Sequence, residues 1–426
     1  MAHHVSRSAF ERLTDRLNRH PQAAPVSKTL FEILKMLFRE NEAELVSRLP
    51  LSPFTVQRAA AIWKTNEKEA KTTLHKLAER ALLTDYEWQG RTWYFLPPPM
   101  AGFFEFSLMR VRDDLDQKTL SELYYQYVNE EEAFSKALFI NGETKLGRAF
   151  VHEPALGSDE TLKVLDYERA SEVIKTSSDI AVSSCYCRHK MKHLGKACKA
   201  PLDICMTFGV TAQSLIRHGH ARRVDAVEGT DLLQQAYENN LVQFGENVRQ
   251  RIGFICHCCG CCCEAMIAAR RFAPEHAIET TRFVPVIDKN ACSGCGRCVA
   301  VCPVDALSLV STDDPVHPDA KTARLDERVC LGCGVCVRVC EQKRSIRLVE
   351  RGERLLTPLN GLHRTVLMAI ERGKFQNLLF DDLACSNHHA IASVFGAILR
   401  LPPVKKILAL RQVKSRYLEA LVSRYG

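Results

Sequence analysis

Apolar residues recur at helical spacing through much of the first hundred positions. In "KTLFEILKMLF" they fall at Leu30, Phe31, Leu34, Leu37 and Phe38, which is one face of a helix. "SPFTVQRAAAIW" predicts a second helix, with Ser52 as its cap and Pro53 in its first turn. "EKEAKTTLHKLAERALL" predicts a third, its stripe running through Ala70, Leu74, Leu77, Ala78 and Ala81. The period then changes. "YEWQGRTWYFL" alternates aromatic residues on both sides of Gln89-Gly90, the mark of a two-stranded hairpin.

Three helices followed by a hairpin resemble a winged-helix domain, which would span residues 1–100 and leave through the stiff run Pro97, Pro98, Pro99. Residues 101–180 read as mainly helical. Beyond them "IAVSSCYCR" and "RIGFICHCC" predict strands, "GTDLLQQAYENNLV" a helix between them, and "RFVPVID" another strand. Residues from 351 read as helix again, interrupted at Pro402-Pro403. The expected fold is therefore α+β and multidomain. After the winged-helix-like part come a helical, then cysteine-rich α/β stretch over 101–280, a module over 281–350 and a basic helical region over 351–426.

Composition narrows the class. At 426 residues, with 46% hydrophobic and 25% charged residues, the chain reads as an ordinary soluble protein large enough for several cores. The longest apolar run, "IASVFGAIL", is too short to cross a bilayer, and the polar start "MAHHVSRSAFERLTDRLNRH" lacks a secretory core. A cytoplasmic protein is expected. In that reducing compartment 19 cysteines argue for metal ligation rather than disulfides. The net charge of +8 is concentrated: residues 351–426 hold twelve Lys or Arg against five Asp or Glu, a net +7.

Eight cysteines form two matched runs. "CSGCGRCVAVCP" holds Cys292, Cys295, Cys298 and Cys302; "CLGCGVCVRVCE" repeats the spacing at Cys330, Cys333, Cys336 and Cys340. Each C-x2-C-x2-C loop presents three thiolates to one [4Fe–4S] cube, and the fourth cysteine of each run ligates the other cluster. One cluster is thus assigned Cys292, Cys295, Cys298 and Cys340, the other Cys330, Cys333, Cys336 and Cys302. Zinc needs only four thiolates, usually as two separated knuckles, and fits this doubled spacing poorly. Gly294, Gly296, Gly332 and Gly334 are expected where the loops hug the inorganic core. The segment resembles the two-cluster bacterial ferredoxins, which implies a (βαβ)2 module passing single electrons at low potential. It departs from them at Cys340-Glu341, where proline is usual, and in the longer stretch between the two runs.

Ten cysteines lie upstream: Cys185, Cys187, Cys198 and Cys205, then Cys256, Cys258, Cys259, Cys261, Cys262 and Cys263. Neighbours on an extended segment point to opposite faces, so Cys256, Cys258, His257 and Cys259 should serve different partners. A helix is expected to begin near Cys263. The economical expectation is that the first four meet several of the six in space and hold one or two further iron–sulfur clusters, with zinc or idle thiols as alternatives. The whole arrangement, over about residues 30–350, resembles a group of anaerobe-associated multi-cluster ferredoxin-like proteins, a resemblance that implies architecture and no particular activity.

Softer signals add little. Lys64, Lys68, Lys71 and His75 suggest a reading face on the third helix, but Glu67, Glu69 and Glu79 dilute it, so DNA is not the expected partner. The basic amphipathic segment "VKKILALRQVKSRYLEALVS" suits an anionic membrane surface or an acidic partner. Cys385 stands alone beside His388-His389, and no nucleotide loop occurs. The leading expectation is an electron-transfer protein serving a partner oxidoreductase. A cluster-dependent reductase with an open iron in the 185–263 region comes second, a redox-sensing DNA-binding regulator third.

Overall fold

The computed structural model describes residues 7–381 apart from 158–160, 162–163, 274–275, 313–314, 316–317, 341–344 and 353–356. Cys385, His388, His389 and the basic amphipathic segment fall outside the described residues.

The chain opens with α1 (Ala9–Arg19), α2 (Lys28–Leu37) and α3 (Glu40–Ser47). Leu30, Ile33, Leu34 and Leu37 of α2 are buried, so its apolar stripe is the face that packs. A two-residue strand, β1 (Phe54–Thr55), leads into α4 (Val56–Trp63). This corrects the expected helix start: Thr55, not Ser52, caps α4 by accepting from the Arg58 N–H, and Phe54-Thr55 pairs as a strand before it. Lys64 ends α4 in a left-handed conformation and so does not lie on the next helix, α5 (Glu67–Glu79), as expected of it. The hairpin β2 (Thr84–Trp88) and β3 (Arg91–Phe95) turns at Gln89-Gly90 and completes a sheet ordered β1-β3-β2.

A non-helical kink over Pro99–Phe103 precedes the regular helix α6 (Gln117–Tyr125), and wide helical turns over Gln126–Glu130 and Lys136–Ile140 follow it. The helical reading of residues 101–180 misses one strand, β4 (Gly147–Ala149). At three residues it is too short for a period-two pattern to register. After α7 (Ala170–Thr176) come β5 (Ile180–Ser184), α8 (Tyr186–His193), β6 (Asp203–Phe208), α9 (Gly209–Arg217), β7 (Arg222–Val224), α10 (Ala226–Glu238), β8 (Val242–Glu246), β9 (Phe254–Cys258) and α11 (Glu264–Arg271).

One six-stranded sheet, ordered β4-β8-β9-β6-β5-β7 and antiparallel throughout, gathers the upstream cysteines. Strand β5 ends one residue before Cys185, β6 carries Cys205 opposite Ser183, and β9 carries Cys256 opposite Phe244 and Cys258 opposite Val242. Side chains alternate across a strand, so Ile255 and His257 face away from Cys256 and Cys258. Ile255 joins a core with Val182, Met206, Leu233 and Tyr237. Cys258 and Cys263 belong to the larger core, which reaches back to α1–α5.

The two matched cysteine runs lie among β10 (Phe283–Ile287), α12 (Arg297–Val301), β11 (Leu307–Ser311), β12 (Lys321–Leu325), α13 (Val335–Arg338) and β13 (Ile346–Glu350), with Cys298 in α12, Cys336 in α13 and the others in the connecting loops. Strand β10 pairs with β13 and β11 with β12, both antiparallel. Helices α14 (Gly361–Glu371) and α15 (Phe375–Leu379) close the described chain. Among the described residues no helix is long and apolar enough to cross a membrane.

Candidate metal centres

The two C-x2-C-x2-C loops each reverse through glycines with positive φ, +63° and +74° at Gly294 and Gly296, +70° and +84° at Gly332 and Gly334. The need for glycine has a second cause. A Cβ on Gly294 would sit 2.2 Å from the Lys321 carbonyl oxygen, and one on Gly332 would sit 2.0 Å from that of Phe283. The loops therefore press against their own flanking strands.

Backbone N–H groups point at the sulfurs. Ala323 donates to Cys292 Sγ at 3.5 Å, Gly332 to Cys330 Sγ at 3.3 Å, and Ala306 to Cys302 Sγ at 3.2 Å. Such bonds favour thiolate and suit cluster ligation. Cys302 lies in the electrostatic surroundings of Cys330, Cys333 and Cys336, and Cys298 in those of Cys336. Cys298 has Cys292 and Cys295 as its charged neighbours, and it packs with Cys340 against the small core of Leu307, Cys336 and Ile346. The two sets differ in depth. Cys330, Cys333 and Cys336 are buried, whereas Cys295 is exposed and Cys292 and Cys298 half-buried. Burial raises the Cys330 thiol to about 11 and the Cys333 thiol to about 12.

Upstream, the structure divides the ten cysteines into six and four. Cys185, Cys187, Cys205, Cys256, Cys258 and Cys263 line one mainly apolar cavity, joined by Met100, Met109, Phe139 and Phe244. Cys185 is a hydrogen-bond neighbour of Cys187 and Cys205, Cys205 of Cys256, and Cys187 of Cys263; Cys263 Sγ lies 3.1 Å from Cys258 Sγ. Hydrogen bonds from Cys187 and Cys205, helped by Arg188, hold Cys185 well below the ordinary thiol value. The remaining four, Cys198, Cys259, Cys261 and Cys262, form a second group, and Cys259 also lines the cavity. His257 takes no part in either. It is buried on the opposite face of β9, with Nδ1 3.5 Å from Gln243 Nε2.

Several residues around the cavity carry no cysteine-like signature and escape a motif search. Glu105 lines it, and burial raises its carboxyl to about 8 against the pull of a backbone hydrogen bond at Ala101. Arg188 is 2% exposed and donates to the carbonyls of Pro201 and His257. Lys190 and Glu264 pair in the interior. The only hint in the sequence is charge where burial is expected, in "CYCRHK" and "CCCEAM".

Residues 291–343 match the family model described as a 4Fe-4S dicluster domain. No curated protein and no solved structure matches the chain. The match makes residues 291–343 a segment of the kind that binds [4Fe–4S] clusters, and with the other cysteine groups it supports iron–sulfur electron transfer in general.

Proposed function

We propose that the chain is a multi-centre electron relay for a partner oxidoreductase. In this reading Cys292, Cys295, Cys298 and Cys340 hold an outer cluster, and Cys330, Cys333, Cys336 and Cys302 an inner one. The six-thiol cavity holds a further iron–sulfur cluster. Bound in these places, each cluster takes up and releases one electron at a time. The exposed Cys295 loop is where a partner would dock, and the buried thiols keep water from the inner centres.

One observation carries the reading. Cys330 and Cys333 of the inner set share a single apolar core with Cys258 and Cys263 of the cavity, with Cys187, Cys256 and Cys302 packed against it. Gly260, beside Cys259, also presses on Pro303, beside Cys302: a Cβ there would lie 2.6 Å from the Pro303 oxygen. The two cysteine regions are therefore contiguous through packed protein, as a relay requires. The winged-helix-like reading of residues 1–100 fits a scaffold better than a DNA reader. The end of α5 is turned toward the sheet region, where the His220 ring lies 2.9 Å from the Glu79 carbonyl oxygen and His75 faces His218 at 5.6 Å.

Iron and acid-labile sulfide per anaerobically purified chain test the relay. More than eight of each is expected, falling by about four in Cys302→Ser and, separately, in Cys340→Ser. A colourless, sulfide-free product would end the reading. A reductase is the second reading, favoured by Glu105: a carboxyl protonated near neutrality in the thiol cavity is a proton donor in place. EPR spectra of reduced protein that stay unchanged with every small ligand tried would remove it.

A further inference from the structure

We propose that Cys198, Cys259, Cys261 and Cys262 form a mononuclear tetrathiolate centre for one divalent metal ion, distinct from the six-thiol cavity. The inference goes beyond the relay and stands whether or not that cavity holds a cluster.

The four sulfurs all lie within 4.8 Å of one another, and this is the one such group found among the described residues. Cys198 to Cys259 and Cys261 to Cys262 are both 3.6 Å. A tetrahedral ion about 2.3 Å from each sulfur needs sulfurs about 3.8 Å apart. The observed spacing is already close to that. A cube with an iron at each of four corners pushes its thiolates farther out than a single ion does, so it needs a wider ring. The dicluster cysteines, which are bound for cubes, form no group this tight among the described residues.

The local chain explains the gathering. Three ligands come from the turn between β9 and α11, where Gly260 separates Cys259 from the Cys261-Cys262 pair. The fourth comes from the loop between α8 and β6. Cys261 is exposed while Cys262 is buried, which gives an ion a route in and a dry side to rest on. Four thiolates around a divalent ion leave two negative charges. Buried Arg188 lies within electrostatic reach of Cys259, and its Nε finds no hydrogen-bond partner among the described residues. Binding releases to water whatever protons the four thiols hold and needs no oxidant or reductant.

The ion would tie the Cys198 loop to the wall that separates the six-thiol cavity from the inner dicluster ligands. Zinc and iron share this donor set. Zinc would make it a redox-silent brace; iron would add a one-electron stop.

The test uses the full chain, purified anaerobically, with zinc, iron and sulfide counted in the native protein and in Cys198→Ser and Cys261→Ser. The native chain should carry one zinc, or one iron in excess of sulfide. Each variant should lose that single metal with sulfide unchanged. Where that metal is zinc, X-ray absorption of the native protein at the zinc edge should show four sulfurs at about 2.3 Å and no metal neighbour; where it is iron, the Mössbauer spectrum should show one high-spin ferrous component apart from the cluster irons, and neither readout needs a variant to fold. Iron matched by sulfide with no zinc would overturn the proposal, as would variants that lose about four irons together with their sulfides. A low sulfide count with the single metal in place would refute the cavity cluster while leaving this centre standing.

Discussion

Lys190 and Glu264 form an ion pair where neither side chain reaches water, with 0% and 3% of their side-chain surfaces exposed. Asn129 bridges them: it accepts from Lys190 Nζ at 2.6 Å and donates to Glu264 Oε2 at 2.7 Å. Lys190 lies one helical turn beyond Cys187, and Glu264 follows Cys263, so the network fixes the two helices that deliver those thiols.

Removing one partner strands the other charge in the interior, a change that typically costs about 3–5 kcal/mol. Lys190→Met and Glu264→Gln should each lower stability on that scale. The double change Lys190→Met with Glu264→Met should cost less than the two single changes added together. Anaerobic urea midpoints measure this. Single variants within about 0.5 kcal/mol of the native protein, the usual range for a surface substitution, would show that the pair does not order the cysteine helices.

The seam between α5 and the sheet region should weaken in mild acid. His220 is 2% exposed, its Nε2 donating to the Glu79 carbonyl, and burial beside Arg110, Arg112 and His218 lowers its pKa to about 4. An unfolded imidazole takes its proton near 6.5. Between these values the unfolded chain binds more protons than the folded one, so stability falls as pH falls through the window and is fully present above it. The loss should reach on the order of 3 kcal/mol near pH 4. His220→Gln, which can still donate to the carbonyl without taking up a proton, should flatten the slope of the thermal midpoint between pH 6.5 and 4.5. A slope equal to the native one would assign the acid sensitivity elsewhere.

Two glycines of the dicluster segment should respond unequally to alanine. At Gly332 the new Cβ meets the Phe283 oxygen at 2.0 Å and Thr281 Oγ1 at 2.3 Å, on a φ of +70°. At Gly296 the nearest atom is the movable Leu309 Cδ1 at 3.3 Å. Gly296→Ala should cost roughly 1–2 kcal/mol, the ordinary cost of a left-handed residue, and keep full iron. Gly332→Ala must displace backbone and should lose about four irons as the inner loop opens. Equal iron in both variants would count against the crowded fit.

The two cysteine runs and their glycines were open to reading because ligand spacing is a local, covalent property. The helices of residues 28–79 were readable for a similar reason, since Leu30, Leu34, Leu74 and Leu77 face one core. The six-and-four division of the upstream cysteines was not. It depends on β6 pairing beside β9 and on the turn after Cys258 meeting the Cys198 loop, which are long-range facts of the fold. Arg188, Lys190 and Glu105 were hidden for the same reason: in sequence they look like solvated charge, and only the fold buries them.

Gly260 offers the most direct test of contact between the two cysteine regions. A Cβ there would meet the Pro303 oxygen at 2.6 Å and its Cα at 2.9 Å, backbone that cannot swing aside as a side chain can. Gly260→Ala should therefore push the Cys259–Cys262 turn away from the Cys302 loop, at a cost of about 1–3 kcal/mol in overpacking. All candidate thiols remain, so iron and sulfide should stay at native levels. What should fall is the rate at which an electron delivered by flash reduction of the dicluster redistributes to the cavity. Gly352→Ala is the matched control, because nothing lies within 4 Å of its added Cβ. If Gly260→Ala and Gly352→Ala redistribute electrons equally fast, the contact at Pro303 is not on the route.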